Sequence, residues 1–149
     1  MLGAVPRLHL AAAALALACS RSASSSASPC DLQAAAVVPA GFEIRWPAAG
    51  DRRPAMNPPM CFPGKFRPPS GFRAPAGVVE YLLRFAVLAD GRLAGFEMLP
   101  EGTEPELACG VWKALKDCAW TAGRDTEGRP AAFWVKVPMR IRTEGPSGH

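Results

Sequence analysis

The five cysteines are the residues best suited to covalent chemistry: Cys19, Cys30, Cys61, Cys109 and Cys118. An odd number of cysteines in an exported chain leaves one thiol that needs a separate explanation. The other four suffice for two disulfides in an oxidising compartment, or some stay free or buried as small apolar side chains. Metal binding is a weaker interpretation, because no two cysteines have C-x-x-C spacing and the only histidine beyond position 9 is His149. We therefore predict neither a metal site nor a cofactor.

Three glutamates stand close together, and paired carboxylates are common general acids and bases. They are Glu101, Glu104 and Glu106. Thr103 and Glu106, however, have the spacing of a capping box, in which both side chains bind backbone N–H groups at the start of a helix. The sequence contains no G-x-S-x-G motif. It therefore predicts a protein that is not an enzyme.

The N-terminus has the features of a signal peptide. Arg7 and His9 precede the apolar run LAAAALALA, which is far shorter than the roughly 20 residues of a membrane-spanning helix. The sequence ALAC followed by Ser20 resembles the lipobox of bacterial lipoproteins, in which the cysteine becomes the lipidated first residue. The resemblance implies a signal peptide over 1–18, lipidation of Cys19 and a periplasm-facing lipoprotein, with Ser20 favouring the outer membrane. The alternative is an ordinary cleaved leader that precedes a cysteine by chance.

Composition limits the number of domains and the classes of partner. The chain has 149 residues and a net charge of +4, which is too weak and too scattered to predict nucleic-acid binding. This length allows one small domain. We expect a Ser/Pro/Ala-rich tether and arm over 19–55, a folded domain over 56–143 and a disordered tail over 144–149.

A β-hairpin is predicted in the middle of the chain. In VVEYLLRFAV (78–87) large apolar residues occupy every second position, so one face of this strand is expected to be buried. The Asp-Gly pair that follows is typical of a type I′ turn, in which both central residues have positive φ. The return strand is expected over 92–99. One further short strand is expected in GFEIRW (41–46).

An amphipathic helix is predicted to begin at the Thr103 capping box. Its apolar positions recur with helical spacing and share one face: Leu107, Val111, Ala114, Leu115 and Cys118. Cys109 falls on the opposite face, about 13 Å from Cys118 along the axis. If disulfides form, the two cysteines of this segment are therefore expected to bond Cys30 and Cys61 rather than each other. The choice of partners stays open.

The last predicted strand is AAFWVKVPMRIR (131–142), with one apolar face. The other face carries Trp134, Lys136, Pro138, Arg140 and Arg142. Because Pro138 has no N–H to donate to a ladder, this strand is predicted to lie at an edge of the sheet, at least near that residue.

The order of these segments resembles the C-terminal domain of the TonB energy-transducer family. The similarity rests on AGVVEYLLRFAVLADGRL (76–93), VWKAL (111–115), EGRP (127–130) and FWVKVPMRI (133–141). After the helix, where the family has an aromatic W-x-F-like segment, this chain has Cys-Ala-Trp. The resemblance implies an α+β fold in which a small antiparallel sheet of about three strands packs against one helix, preceded by a proline-rich extended arm.

The resemblance also implies a mode of action. Domains of this family bind an extended peptide of an outer-membrane receptor by adding it to a sheet edge. The five residues on the polar face of the last strand are then the contact edge, and their basic character suits an acidic peptide. The favoured function is a non-enzymatic envelope lipoprotein that binds another envelope protein or peptide, linked to TonB-type transport.

Three alternatives stay open. In the first, the charges of the edge only solvate the strand and deter aggregation. In the second, the leader is retained as the anchor of an energy transducer. The third alternative is a structural envelope module, stapled by disulfides and without a specific ligand. A homodimer formed edge to edge is also compatible with the sequence.

Overall fold

Residues 30–72 and 77–143 are described by a computed structural model of the chain. Their elements, in chain order, are α1 (Leu32–Ala36), β1 (Ile44–Arg45), β2 (Ala55–Asn57), α2 (Cys61–Lys65), β3 (Gly77–Val87), β4 (Leu93–Leu99), α3 (Pro105–Lys116), β5 (Ala119–Thr121), β6 (Gly123–Arg124) and β7 (Pro130–Thr143). The expected signal peptide, the lipidation site at Cys19 and the tail over 144–149 lie outside the described residues.

Three long strands form the body of the sheet, with β3 lying antiparallel between β4 and β7. This is the α+β class expected from the sequence. The expected number of about three strands is too low, however. β1 pairs in parallel with β7, β6 pairs with β7 antiparallel, and β2 and β5 form a separate two-stranded sheet. Strands of two or three residues are too short to produce an alternating pattern that could predict them.

The hairpin between β3 and β4 is present, but its turn differs from the expected type I′. Gly91 has a φ of 84°, whereas Asp90 does not have positive φ. The N–H of Gly91 donates to the carbonyl of Leu88 (2.9 Å), and the N–H of Leu88 donates to the carbonyl of Arg92 (2.8 Å). The loop therefore has three residues and ends in a left-handed glycine. The carboxylate of Asp90 stabilises it by accepting the N–H of Arg92 at 3.0 Å.

Helix α3 packs across one face of the sheet and forms the main core. Leu107, Val111 and Leu115 are at most 1% exposed and belong to one cluster with the inward side chains of β3, β4 and β7. Trp112 stacks on Phe96 of β4, with 5.0 Å between the ring centres. The apolar helix face that the sequence predicts is thus the face that meets the sheet.

The predicted capping box is wrong. α3 begins at Pro105, its N-cap residue is Glu104, and no side chain caps it. The hydroxyl of Thr103 instead donates to the carbonyl of Pro100 at 2.6 Å. Proline at the first helical position removes one of the N–H groups that a cap would otherwise satisfy, so the hydroxyl is used by the preceding turn.

Residues 30–55, expected to be tether and arm, contribute elements to the folded unit. α1 packs on β4, where the N–H of Gly95 donates to the carbonyl of Val37 at 3.3 Å. Phe42 and Ile44 pack against a small cluster that includes Ala86 on the sheet face opposite α3. Segment 42–46 therefore covers part of this second face.

Candidate functional site

The outer edge of β7 carries little backbone pairing within the described residues. β3 occupies one edge of β7 from Phe133 to Thr143. On the opposite edge, β1 pairs only with Ala132 and Phe133. No described strand pairs with that edge from Trp134 to Arg142, which we call the free edge. An unpaired row of N–H and C=O groups is a template for an added strand.

The five predicted contact residues lie on the sheet face opposite α3, beside the free edge. Trp134 is half-buried and packs with the second cluster, and the ammonium of Lys136 lies 4.9 Å from the centre of the Trp46 ring. Pro138 is exposed and stands opposite Leu82. Arg140 and Arg142 are exposed near the end of β7. The structure thus brings these residues together along one strand.

This face is less basic than the sequence suggested, because glutamates on β3 and β4 stand beside two of its arginines. Nε of Arg140 lies 2.7 Å from a carboxylate oxygen of Glu80, its direct neighbour across the ladder. Arg84 and Glu97 form a second cross-strand ion pair. Exposed pairs of this kind contribute about 0–1 kcal/mol. In the described part of the chain, Lys136 and Arg142 have no such carboxylate.

A shallow apolar groove follows the same sheet face toward the end of β7. It has a volume of about 410 Å³, and its lining includes Leu82, Leu99, Pro100 and Pro138, with Glu80 and Arg140 also present. In an added strand every second side chain points to one face of the sheet. On this face such a side chain would lie next to Pro138 and Arg140, which form the β7 side of the groove.

A second cavity, which we call the notch, lies at the other end of the free edge and was missed from the sequence. It has a volume of about 330 Å³ and is lined by Trp46, Pro47, Arg53, Pro54, Trp134, Val135 and Lys136. Trp46 is 45% exposed, and its ring centre lies 6.3 Å from that of Trp134. The only sequence signal was a pair of X-Pro dipeptides, which indicates loops rather than a site.

The loop that follows β1 and forms one wall of the notch is anchored by an ion pair. Nη2 of Arg45 donates to Oδ1 of Asp51 at 3.0 Å, and Nη1 donates to Oδ2. The N–H of Ala48 donates to the same carboxylate at 2.7 Å. The hydrogen bonds from Arg45 and Ala48 lower the pKa of Asp51 to about 2, so this carboxylate is charged at physiological pH. The wall formed by Trp46 and Pro47 is thereby held in place.

Two disulfides join the N-terminal segment to α3 and the turn that follows it. They are Cys30–Cys109 and Cys61–Cys118. The expectation that Cys109 and Cys118 do not bond each other is confirmed, and the partners that the sequence left open are now assigned. Cys109 is 3% exposed, because α1 packs on the side of α3 that was expected to face solvent.

The three glutamates that the sequence offers as acid–base candidates do not form a buried cluster. In residues 30–72 and 77–143, no three His, Cys, Asp or Glu side chains are placed to hold a metal ion. Glu101, Glu104 and Glu106 are all exposed. The pKa of Asp90 is lowered mainly by a hydrogen bond from the backbone N–H of Arg92. The pKa of Asp125 is lowered mainly by a hydrogen bond from the backbone N–H of Arg129. Carboxyls kept charged in this way are poor general acids near neutral pH.

No family model, curated protein or solved structure matches the chain. None of the helices in the described residues is long and apolar enough to cross a membrane.

Proposed function

We propose that this chain is a non-enzymatic lipoprotein of the cell envelope whose domain binds another envelope protein, or an extended peptide, by strand pairing at the free edge of β7. The observation that carries the proposal is the unpaired outer edge from Trp134 to Arg142 in the described chain. The opposite edge of the sheet, at β4, is contacted by α1 and Val37. The TonB-like order of elements supports the same mode of binding and a role beside TonB-type transport.

The proposal has a simple energetic basis. In strand addition, backbone hydrogen bonds supply affinity and pockets for alternate side chains supply selectivity. The exposed Pro138, which borders the apolar groove, offers such side chains an apolar contact next to the edge.

Lipidation at Cys19 and a periplasm-facing position at the outer membrane are part of this proposal. Mass spectrometry of the membrane-extracted protein tests them, and we expect an N-terminus at lipid-modified Cys19. A chain that retains residues 1–18 would contradict lipidation and favour an energy transducer anchored by its leader.

A proline at position 140 tests edge pairing. Residues two apart in a strand point their backbone groups the same way, and β7 already accommodates Pro138. The backbone N–H at position 140 therefore points the same way as the N–H that proline lacks at position 138. Arg140→Pro removes this N–H, whereas Arg140→Ala removes the same side-chain charge and keeps the N–H. Val137→Pro is less suitable, because Val137 packs on the core and stands opposite the buried Leu83.

The readout is recovery of partners from envelope extract. We expect the wild type and Arg140→Ala to recover the same proteins and Arg140→Pro to lose them. Thermal unfolding of both variants checks that pairing with β3 is intact. Equal recovery by all three proteins would contradict edge pairing.

A structural envelope module without a specific ligand is the second candidate. The ion pairs Glu80–Arg140 and Arg84–Glu97 favour it, since paired surface charges are what a protected sheet edge requires. Wild-type growth of a deletion strain under limiting iron or vitamin B12 would favour this candidate over a role in receptor-driven uptake.

A further inference from the structure

The free edge of β7 has one closed end, at Trp134. β1 occupies the same edge at Ala132 and Phe133, and the chain that leaves β1 at Trp46 and Pro47 forms a wall of the notch. A strand that pairs with β7 from the Arg142 side therefore cannot continue along the edge beyond Trp134. It has to end at the notch or turn away from the sheet.

The notch is lined by two cations and by no carboxylate. Neither Arg53 nor Lys136 forms an ion pair with a carboxylate in the part of the chain that the structure describes. Asp51, which lies in the adjoining loop, is already bound by Arg45. The charge of the notch therefore complements an anion.

The direction of β7 decides which end of a bound strand reaches the notch. Antiparallel pairs are slightly more stable per residue than parallel pairs. β7 runs from Trp134 toward Arg142, so an antiparallel ligand runs toward Trp134 and ends there with its C-terminus. A parallel ligand that ended at the notch would place an N-terminal ammonium group between Arg53 and Lys136, which like charges disfavour.

We infer that the notch binds the free C-terminal carboxylate of an extended peptide that pairs antiparallel with the free edge, an inference that rests on the function proposed above. Arg53 and Lys136 bind the carboxylate, and Trp46 and Trp134 pack against the last side chain. At about 3.4 Å per residue, the stretch from Trp134 to Arg142 accommodates a ligand segment of about eight residues. The partner is thus a protein with an accessible and extended C-terminus.

Two display libraries of eight random residues provide the probes, one with a free C-terminus and one continued by a Gly/Ser linker. They are selected against the full chain in detergent with its disulfides intact. Peptides recovered from either library are synthesised as the free acid and as the C-terminal amide, and their Kd values are measured by fluorescence anisotropy. Amide hydrogen exchange of β7 reports strand pairing independently.

We expect binders from the library with the free C-terminus, and we expect amidation to weaken their binding about ten-fold or more, as loss of a charged contact does. In the double variant Arg53→Gln/Lys136→Gln, the difference between acid and amide should fall below about two-fold. Arg142→Gln, at the far end of the edge, is the matched control and should keep the full difference.

The possible failures are distinguishable. Peptides that protect β7 amides and bind equally as acid and amide would overturn the carboxylate site and leave edge pairing intact. An acid–amide difference that survives in Arg53→Gln/Lys136→Gln would place the carboxylate elsewhere and overturn the inference. Absence of binders from both libraries would overturn edge pairing and the carboxylate site together.

Discussion

The indole ring of Trp134 lies across Gly95, two strands away in the sheet. A β-carbon built on Gly95 would sit 2.9 Å from both Cη2 and Cζ3 of that ring. Between them Ala86 of β3 pairs with Trp134 on one side and with Ala94 on the other. Small residues on β3 and β4 thus make room for the large ring of Trp134, a residue that also lines the notch.

Gly95→Ala is expected to lower the free energy of unfolding by about 1–3 kcal/mol. The added methyl group meets the Trp134 ring, and Gly95 has a φ of 62°, where a side chain is strained. Gly102→Ala is the matched control, since Gly102 has a φ of 80° and a β-carbon added there would have no atom within 4 Å. Urea unfolding measures both variants, and equal losses would show that the ring contact contributes nothing.

Each of the two disulfides should stabilise the fold. They close loops with sequence separations of 79 and 57 residues, and removal of a native disulfide from a small secreted domain costs about 2–5 kcal/mol. We expect a loss of this size for Cys30→Ser/Cys109→Ser and for Cys61→Ser/Cys118→Ser in guanidinium unfolding. A double variant that unfolds at the denaturant concentration of the oxidised wild type would contradict the prediction for that bridge.

The long elements could be predicted because each carries its own pattern. β3 and β7 alternate over more than ten residues, and the apolar face of α3 recurs with helical spacing, so their existence and buried faces followed from the sequence. β1 and β6 have two residues each and exist only because β7 offers them an edge. A contact of that length leaves no periodic signal.

The free edge and the notch were predictable to different degrees. Pro138 indicated an edge strand, and alternation indicated which residues of β7 share its polar face. The ion pair between Glu80 and Arg140 depends on register, which a single strand does not reveal. The notch is formed partly by a loop that lies far ahead of β7 in sequence. Nothing in the sequence around Arg53 therefore indicated that this residue lies near Lys136.

Acid should remove the stabilisation that Asp51 supplies. Its pKa is lowered from 3.8 to about 2, mainly by the hydrogen bond from Arg45. A carboxyl with a lowered folded-state pKa stabilises the fold above its unfolded pKa, and that contribution disappears as the pH falls through the folded value. Asp51→Asn should therefore unfold at lower urea than the wild type at about pH 7, and the gap should close between about pH 4 and pH 2.

Glu101→Gln provides the comparison for this pH series. Glu101 is exposed in the turn before α3 and forms no ion pair in the described chain, so its removal should leave the urea midpoint unchanged at each pH. A gap between wild type and Asp51→Asn that stays constant down to about pH 2 would contradict the role of the carboxylate charge.

Trp120→Phe should reveal the hydrogen bond that closes the C-terminal end of α3. Nε1 of Trp120 donates to the carbonyl of Leu115 at 3.0 Å, and the ring stands edge-on to Phe85 with 5.2 Å between centres. Phenylalanine keeps most of the ring contact and loses the donor, so we expect a loss of about 1 kcal/mol. Trp46→Phe, at the half-exposed notch, should change stability by less than about 0.5 kcal/mol, and a larger loss there than at Trp120 would contradict this assignment.

The bond between Cys30 and Cys109 determines how the domain would carry a mechanical load. Tension applied to the chain ahead of residue 30 passes through the sulfur atoms directly into α3. β1 lies inside the loop that this bond closes, so tension on the two cysteines cannot extend that segment of the chain. The wall of the notch that Trp46, Pro47 and Arg53 form is therefore covalently protected from extension, whereas the wall on β7 depends on the sheet alone.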